Sequence, residues 1–417
     1  MTDKSRLLEA AEVEGGEPVI TSAAVVAAKP PAILYVFVVI AAMANILFGY
    51  EASVIASGIT DYMGCTRCDT TQQGFLKGAL ALGATVVCPF AGLLQDRLGR
   101  RVTLIICCLI YCGCVFVTAT ANTYESGGGG GYFQMAIGRF MTGMVIGIFS
   151  STVPMYIAEL SPPSIRGALV TVNQVCVCTG VLLGYVSSAA FTPHWQIQFY
   201  AASPLATCLF LSFIFITPYS PRWLMTQGRE EEARAVLRRI RSEDVVEEEL
   251  ASIRDGCALV TLGGSKYKML LEPHIRWAVT IGVMGACMAQ WVGVNAVNGF
   301  APNIFESAGS TKAQAHIQTV YIGVAKLFFV VVALLLMDRV GRKPLLLVGC
   351  VGMAASSALL AASYQIPNAN WLAVGSLVLY MAFFEISLGP ILWLLLSELY
   401  PVQVKGVAMS IGVTTTW

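Results

Sequence analysis

The sequence is poor in charged residues and in histidine. Asp, Glu, Lys and Arg make up 12% of its 417 residues, and it has 3 histidines. Soluble globular proteins contain about 25% charged residues, so the composition argues against that class. The net charge is +1 and no basic cluster is interleaved with aromatics, so nucleic-acid binding is not expected. The histidines give neither metal-ligand spacing nor a nucleophile–base arrangement, so no metal, cofactor or enzymatic activity is expected.

The cysteines and the N-terminal segment give little information about function. Most of the 13 cysteines lie in apolar runs, where they act as small packing residues. Cys65 and Cys68 are the one pair with chemical spacing; a disulfide, or less readily a metal site, is the alternative to free thiols. Residues 1–31 lack the basic start and short apolar core of a cleavable signal, so they are predicted to form a disordered cytoplasmic tail.

Apolar residues are abundant, at 56% of the chain. A run of about 20 apolar residues can cross a bilayer as a helix. Such spans are predicted at 32–57, 73–95, 102–121, 132–157, 167–189, 197–217, 273–299, 315–337, 344–364 and 371–398, and an eleventh begins near 406. The loops rich in Arg and Lys all fall on one side, which is expected to be cytoplasmic together with the N-terminus. The chain is therefore predicted to be an all-α, multi-pass membrane protein, with the plasma membrane as the default location.

A signature occurs twice in the chain. Asp96-Arg97-Leu98-Gly99-Arg100-Arg101 follows one apolar run, and Asp338-Arg339-Val340-Gly341-Arg342-Lys343 follows another about 240 positions later. Glu159 with Arg166 and Glu398 with Lys405 form a second repeated pair. Repeats within apolar sequence are typical of transporters built from two similar halves. The predicted organisation is a tail (1–31), an N-terminal half (32–217), a cytoplasmic helical linker (218–272) and an incomplete C-terminal half (273–417).

The linker contains two predicted surface helices. Apolar positions recur at helical spacing in Arg229–Arg241, and a second helix is indicated at Val245–Ile253. The linker is either a solvated connector or part of a gate, and a connector that braces the inward gate is favoured.

Four charged residues lie well inside predicted spans: Glu51, Arg139, Lys326 and Glu385. Each such charge costs about 2.5–3.5 kcal/mol on the insertion scale, so each needs a reason. They either form packing ion pairs or take part in transport. Glu51 with Arg139 has the chemistry of a proton switch, because the carboxylate can bind a proton and the arginine stays charged.

Amides and glycines also interrupt the spans. Gln174 lies in span 5, whereas Gln290, Asn295 and Asn298 lie in span 7 beside Gly293. In span 10 a helix break is expected at Gly389-Pro390, with the aromatic ring of Trp393 beside it. Amides suit a ligand covered in hydroxyl groups, although they also hydrogen-bond helices together in membranes. The set favours a polar central site.

From about residue 32 to 417 the chain resembles the sugar porters of the major facilitator superfamily. The resemblance rests on both Asp-Arg-x-Gly-Arg signatures, on Pro218-Tyr219-Ser220-Pro221-Arg222-Trp223, on Gln290-x-x-Gly293-x-Asn295 and on Gly389-Pro390-x-x-Trp393. It implies a major facilitator fold of two six-helix halves, of which about ten and a half helices are present here. It also implies alternating access around a central site.

The resemblance assigns roles to individual residues. It implies that Gln174, Gln290, Asn295, Gly389 and Trp393 contact sugar and that Glu51 and Arg139 couple transport to a proton, which favours symport over facilitated diffusion. Asn298 and Lys326 join the expected binding set. A cytoplasmic gate is implied for Asp96, Arg97, Arg100, Glu159, Arg166, Asp338, Arg339, Arg342, Glu398 and Lys405.

Several positions depart from the family pattern. The family usually has two glutamines at Ala289-Gln290, an aromatic pair at Gly299-Phe300 and a glutamate at Tyr219. Lys326 replaces an asparagine and is similar to the plant polyol transporter branch. A hexose is therefore the leading substrate, with a polyol or inositol as the alternative, and a non-transporting sugar sensor is the rival function. The family's span 12 is absent, so a fragment of a longer protein or a truncated product is expected.

Overall fold

A computed structural model describes residues 30–64, 69–121, 130–262, 269–270, 272–366, 370–400 and 404–417. Most of the predicted tail and the pair Cys65 and Cys68 lie outside these ranges. Within them the chain is α-helical without strands, which confirms the all-α prediction. The helices are α1 (Ala32–Gly64), α2 (Thr70–Leu98), α3 (Arg100–Ala119), α4 (Gly130–Leu160), α5 (Arg166–Phe191), α6 (Trp195–Tyr200), α7 (Ser203–Phe215), α8 (Pro221–Thr226), α9 (Glu230–Ile240), α10 (Glu243–Leu262), α11 (Pro273–Trp291), α12 (Val294–Ser307), α13 (Lys312–Val340), α14 (Arg342–Ser363), α15 (Asn370–Ile386), α16 (Leu388–Leu399) and α17 (Lys405–Thr415).

The described residues contain 10 segments that are long and apolar enough to cross a membrane. They match the ten complete predicted spans in order, and α17 matches the start of the eleventh. The seventh differs most, because it continues to Ser307 and not only to 299. The prediction of a multi-pass membrane protein is confirmed.

Two spans are broken where the sequence contains glycine or proline. Gly293 separates α11 from α12 with a φ of 87°, a left-handed conformation that glycine adopts readily. Ser387 separates α15 from α16, three residues before Pro390. A proline has no N–H to donate and its ring clashes with the carbonyl four residues earlier, here that of Ile386. The break expected at Gly389-Pro390 is therefore confirmed, slightly earlier than predicted.

Close helix contacts hold the N-terminal helices together. A β carbon at Gly49 of α1 would lie 1.9 Å from the carbonyl oxygen of Val177, and one at Gly180 of α5 would lie 2.1 Å from that of Ile46. Small residues let membrane helices approach each other closely. One apolar core joins α1–α10, and a second lies mainly among α11–α17. These two cores are consistent with the proposed halves.

The linker helices are packed against the N-terminal half. Ala233, Leu237 and Ile240 of α9 are buried, as the predicted amphipathic pattern requires. The Trp223 Nε1 donates to the backbone oxygen of Asp96 at 3.0 Å. An Arg241 guanidinium nitrogen donates to a carbonyl at the end of α4 at 2.9 Å. These contacts fit a connector that braces the ends of the spans nearest to it.

Candidate functional site

A cavity of about 320 Å³ lies between the two proposed halves. Its volume is at the lower end of small-molecule sites, which are about 300–1,000 Å³. The described residues that line it come from α1, α2 and α4 on one side, and from α11, α12, α16 and the two residues that follow α17 on the other. The polar and aromatic ones are Phe48, Glu51, Lys77, Arg139, Gln290, Asn295, Phe300, Trp393, Thr416 and Trp417.

Glu51 and Arg139 form a buried ion pair in the wall of this cavity. The Arg139 Nη1 donates to Glu51 Oε2, and each side chain is 1% exposed. The Tyr111 hydroxyl donates to the other carboxylate oxygen, Oε1, at 2.7 Å. The second Arg139 nitrogen, Nη2, lies 3.3 Å from the backbone oxygen of Glu51. A buried charge is tolerated when it is paired and hydrogen-bonded, and this pair meets both conditions.

The broken span 7 brings two of its three predicted amides, Gln290 and Asn295, to the cavity. Asn295 Nδ2 donates to Gln290 Oε1 at 2.7 Å across the bend at Gly293. Both amides and Trp393 of the broken span 10 line the cavity. A hydroxylated ligand would find amide donors and acceptors here beside an aromatic surface.

Three further members of the predicted binding set, Gln174, Lys326 and Gly389, lie in a separate cluster. Lys326 Nζ lies 2.8 Å from Glu385 Oε1. Gln174 Nε2 donates to the other oxygen, Oε2, at 3.2 Å. Gly389 is adjacent, because a β carbon there would lie 2.6 Å from the same oxygen. Lys326 and Glu385 are 3% and 0% exposed, and the cluster joins α5 to α13 and α15.

Asn298 makes a different connection between the halves. The Tyr185 hydroxyl of α5 donates to the backbone oxygen of Asn298 at 3.2 Å, and it lies 3.4 Å from its side-chain oxygen. Asn298 is 6% exposed and is not among the described residues that line the cavity.

Two charged residues that sequence reasoning did not select also occupy notable positions. Lys77 of α2 lines the cavity, and its Nζ donates to the Gly299 backbone oxygen at 3.1 Å. Asp61, buried near the end of α1, forms an ion pair of 3.3 Å with Lys312 at the start of α13. Lys77 lies within a predicted apolar span, and the rule that selected Glu51 would have selected it too.

Two ion pairs of the predicted cytoplasmic gate lie within the N-terminal half. Arg100 forms ion pairs with Glu159 at 2.9 Å and with Asp96 at 3.5 Å. Arg166 donates to the backbone oxygen of Ser161 at 3.5 Å. Arg97, Arg339 and Arg342 are exposed. The side chains of Asp338, Glu398 and Lys405 lie outside the described residues.

A family model described as "Sugar (and other) transporter" matches residues 37–417. The chain belongs to this family. It is 30% identical over 417 residues to the D-xylose-proton symporter of Escherichia coli (strain K12), covering 92% of this chain and 83% of that protein. It is 32% identical over 395 residues to the glucose facilitated diffusion protein of Zymomonas mobilis subsp. mobilis, covering 91% and 83%.

Solved structures of the family share the fold. The proton:xylose symporter XylE bound to 6-bromo-6-deoxy-D-glucose matches with a TM-score of 0.81 and 28% identity, covering 93% of this chain and 86% of that chain. The inward-open conformation of XylE from E. coli matches with a TM-score of 0.75 and 28% identity, covering 92% and 87%. The predicted major facilitator fold is confirmed.

Proposed function

We propose that the chain carries a hexose or a related sugar across a membrane together with a proton. The observation that carries the proposal is the Glu51–Arg139 pair in the cavity wall. Protonation of Glu51 at this place can change the affinity of the cavity for a ligand. The relatives include both a proton symporter and a facilitated diffusion protein, so their names alone do not decide the coupling. A neutral side chain at position 51 would favour a facilitator, whereas the carboxylate of Glu51 favours a symporter.

The proposed cycle starts from the paired state. Glu51 accepts a proton from the outer side, and its attraction for Arg139 weakens. The freed arginine donors and the amides of Gln290 and Asn295 then bind sugar hydroxyl groups, with Trp393 against the apolar face of the ring. The halves rock, the cytoplasmic contacts around Arg100 separate, and sugar and proton leave on the inner side.

The other roles follow from this assignment. The two halves are 32–217 and 273–417, the linker 218–272 is cytoplasmic, and the N-terminus faces the cytoplasm of a cell whose plasma membrane holds the protein. A polyol or inositol remains the alternative substrate, whereas a sensor would bind sugar without moving it. We assign no enzymatic activity.

The Glu51→Gln variant tests the coupling. In proteoliposomes with an inward pH gradient, the wild type should accumulate labelled glucose or xylose, and the variant should not. The variant should still exchange labelled for unlabelled sugar, because the amide keeps the shape of the site without binding a proton. Tyr111→Phe is the matched control: it removes one hydrogen bond to Glu51 but retains the carboxylate, so accumulation should persist. Accumulation by Glu51→Gln would refute the coupling assignment.

A further inference from the structure

Lys77 places an ammonium group in the central cavity, beside a backbone oxygen and an aromatic ring. Its Nζ donates to the Gly299 backbone oxygen at 3.1 Å and lies 4.0 Å from the centre of the Phe300 ring. By contrast, Arg139 and Lys326 are each paired with a carboxylate. Among the residues that the structure describes, no acidic side chain forms an ion pair with Lys77. A cation inside a membrane span is costly, so an unpaired one points to function.

The charges that line the cavity do not cancel. Glu51 and Arg139 together contribute no net charge, whereas Lys77 adds one positive charge. When Glu51 binds a proton, as proposed above, Arg139 and Lys77 both face the cavity without an ionised carboxylate between them. The protonated site therefore carries two positive charges and attracts an anion more strongly than a neutral sugar.

The surroundings of Lys77 leave room for a ligand group. Gly74 and Gly78, on the same helix, also line the cavity, and a β carbon at either would meet no atom within 4 Å. An ammonium group has three donors, and the structure shows one of them on Gly299. The other two are available to a ligand in the cavity.

We propose that Lys77 binds the carboxylate of a sugar acid, such as a hexuronate or an aldonate, so that the preferred substrate is a monoanionic sugar. This inference rests on the proposed transport function and names its substrate class. Gln290, Asn295 and Trp393 bind the hydroxyl groups and ring, and Lys77 binds the carboxylate. One proton and one carboxylate then cross together, so the transported pair carries no net charge.

Uptake kinetics identify the substrate class. Proteoliposomes should take up labelled glucuronate, galacturonate or gluconate with a lower KM than glucose or xylose. Lys77→Met should raise the KM for the sugar acid by roughly 10- to 150-fold, the range expected for a hydrogen bond to a charged group. Loss of the contact with Gly299 affects both substrates alike, so the readout is the ratio of the KM for the sugar acid to the KM for glucose, which should rise. Lys77→Arg should restore most of the affinity for the acid.

Lys77→Gln separates charge recognition from a structural role. The amide can still donate to the Gly299 oxygen but carries no charge. If Lys77 only links α2 to α12, Lys77→Gln should behave like the wild type, and the proposal is wrong. If it binds a carboxylate, Lys77→Gln should lose the preference for the sugar acid as Lys77→Met does.

A second measurement asks whether a pH gradient or a membrane potential drives accumulation of the sugar acid. A pH gradient should drive sugar-acid accumulation, whereas a potassium diffusion potential set with valinomycin should not. Accumulation driven by the potential would contradict electroneutral transport of the pair. The two proposals fail separately: loss of proton coupling leaves the Lys77-dependent preference in exchange assays intact. A wild type that exchanges neutral sugars and ignores the acids refutes the substrate class alone.

Discussion

Removing the lysine of the second buried ion pair should strongly destabilise the protein. Lys326 and Glu385 are 3% and 0% exposed, and their charged atoms are 2.8 Å apart. Lys326→Met keeps a long unbranched side chain but leaves the carboxylate of Glu385 buried with the hydrogen bond from Gln174. Breaking a buried pair by removing one partner costs about 3–5 kcal/mol. The remaining Gln174 bond places the expected loss near the lower end of that range.

The double variant Lys326→Met/Glu385→Gln separates charge from shape. A glutamine at 385 retains an oxygen that can accept from Gln174 Nε2, and no unpaired charge remains. Replacing both members of a buried pair by neutral groups is often close to neutral. We therefore expect the double variant to be more stable than Lys326→Met, by about 2 kcal/mol or more.

Equilibrium unfolding in mixed micelles, followed by tryptophan fluorescence, measures these free energies for the wild type, both single variants and the double variant. Sugar exchange in proteoliposomes checks that each protein is folded. If Lys326→Met lowered the free energy of unfolding by less than about 1 kcal/mol, the pair would be accessible to water, because solvent-exposed ion pairs contribute about 0–1 kcal/mol. Additive losses in the double variant would show that the two residues do not interact, which would refute the reasoning.

Two further variants test contacts elsewhere. Asp61→Asn should weaken the link to Lys312 between the halves and open the cavity towards the side opposite the basic loops. A cysteine introduced at Ala296 in the cavity should then react faster with an impermeant thiol reagent, and an unchanged rate would exclude a role for Asp61 in closure. Gly180→Ala should cost about 1–3 kcal/mol by overpacking, because its β carbon would lie 2.1 Å from a carbonyl oxygen of α1. Gly113→Ala, with open space around it, is the control in the same unfolding assay, and equal losses would contradict the packing argument.

The spans could be predicted because their signal is local. A run of apolar residues long enough to cross a bilayer is visible without knowledge of its neighbours. The breaks at Gly293 and before Pro390 were also predictable, since glycine and proline act on the backbone where they stand. The end of span 7 was placed too early because the polar residues around Asn298 obscured the apolar pattern that continues as α12.

The partners of charged residues were less predictable. Glu51 and Arg139 were expected to meet, and they do. Lys326 was expected either among the sugar contacts or in a packing ion pair, and its ammonium lies 2.8 Å from Glu385. Lys77 contacts a carbonyl from the other half of the chain. The spacing of residues within one helix contains no information about such contacts, because they depend on how the two halves are placed.

The distribution of charge between the halves suggests why the protein can change conformation at low cost. Among the described residues, two ion pairs have both side chains almost fully buried, and each pair lies within a single proposed half. Glu51 and Arg139 belong to the first half, and Lys326 and Glu385 belong to the second. Rocking therefore moves each of these two pairs as a unit and does not separate its charges.

The contacts between the halves are individually weaker than the two buried ion pairs. Among the described residues, they include hydrogen bonds from Gln174 to Glu385, from Tyr185 to Asn298, from Lys77 to a carbonyl and from Trp417 to Ser150. They also include the ion pair of Asp61 with Lys312, whose side chain is 52% exposed. Each net contribution is about 0.5–3 kcal/mol, and water or substrate can replace the lost partner. A ligand bound between the halves can supply free energy of this size, which is what alternating access requires.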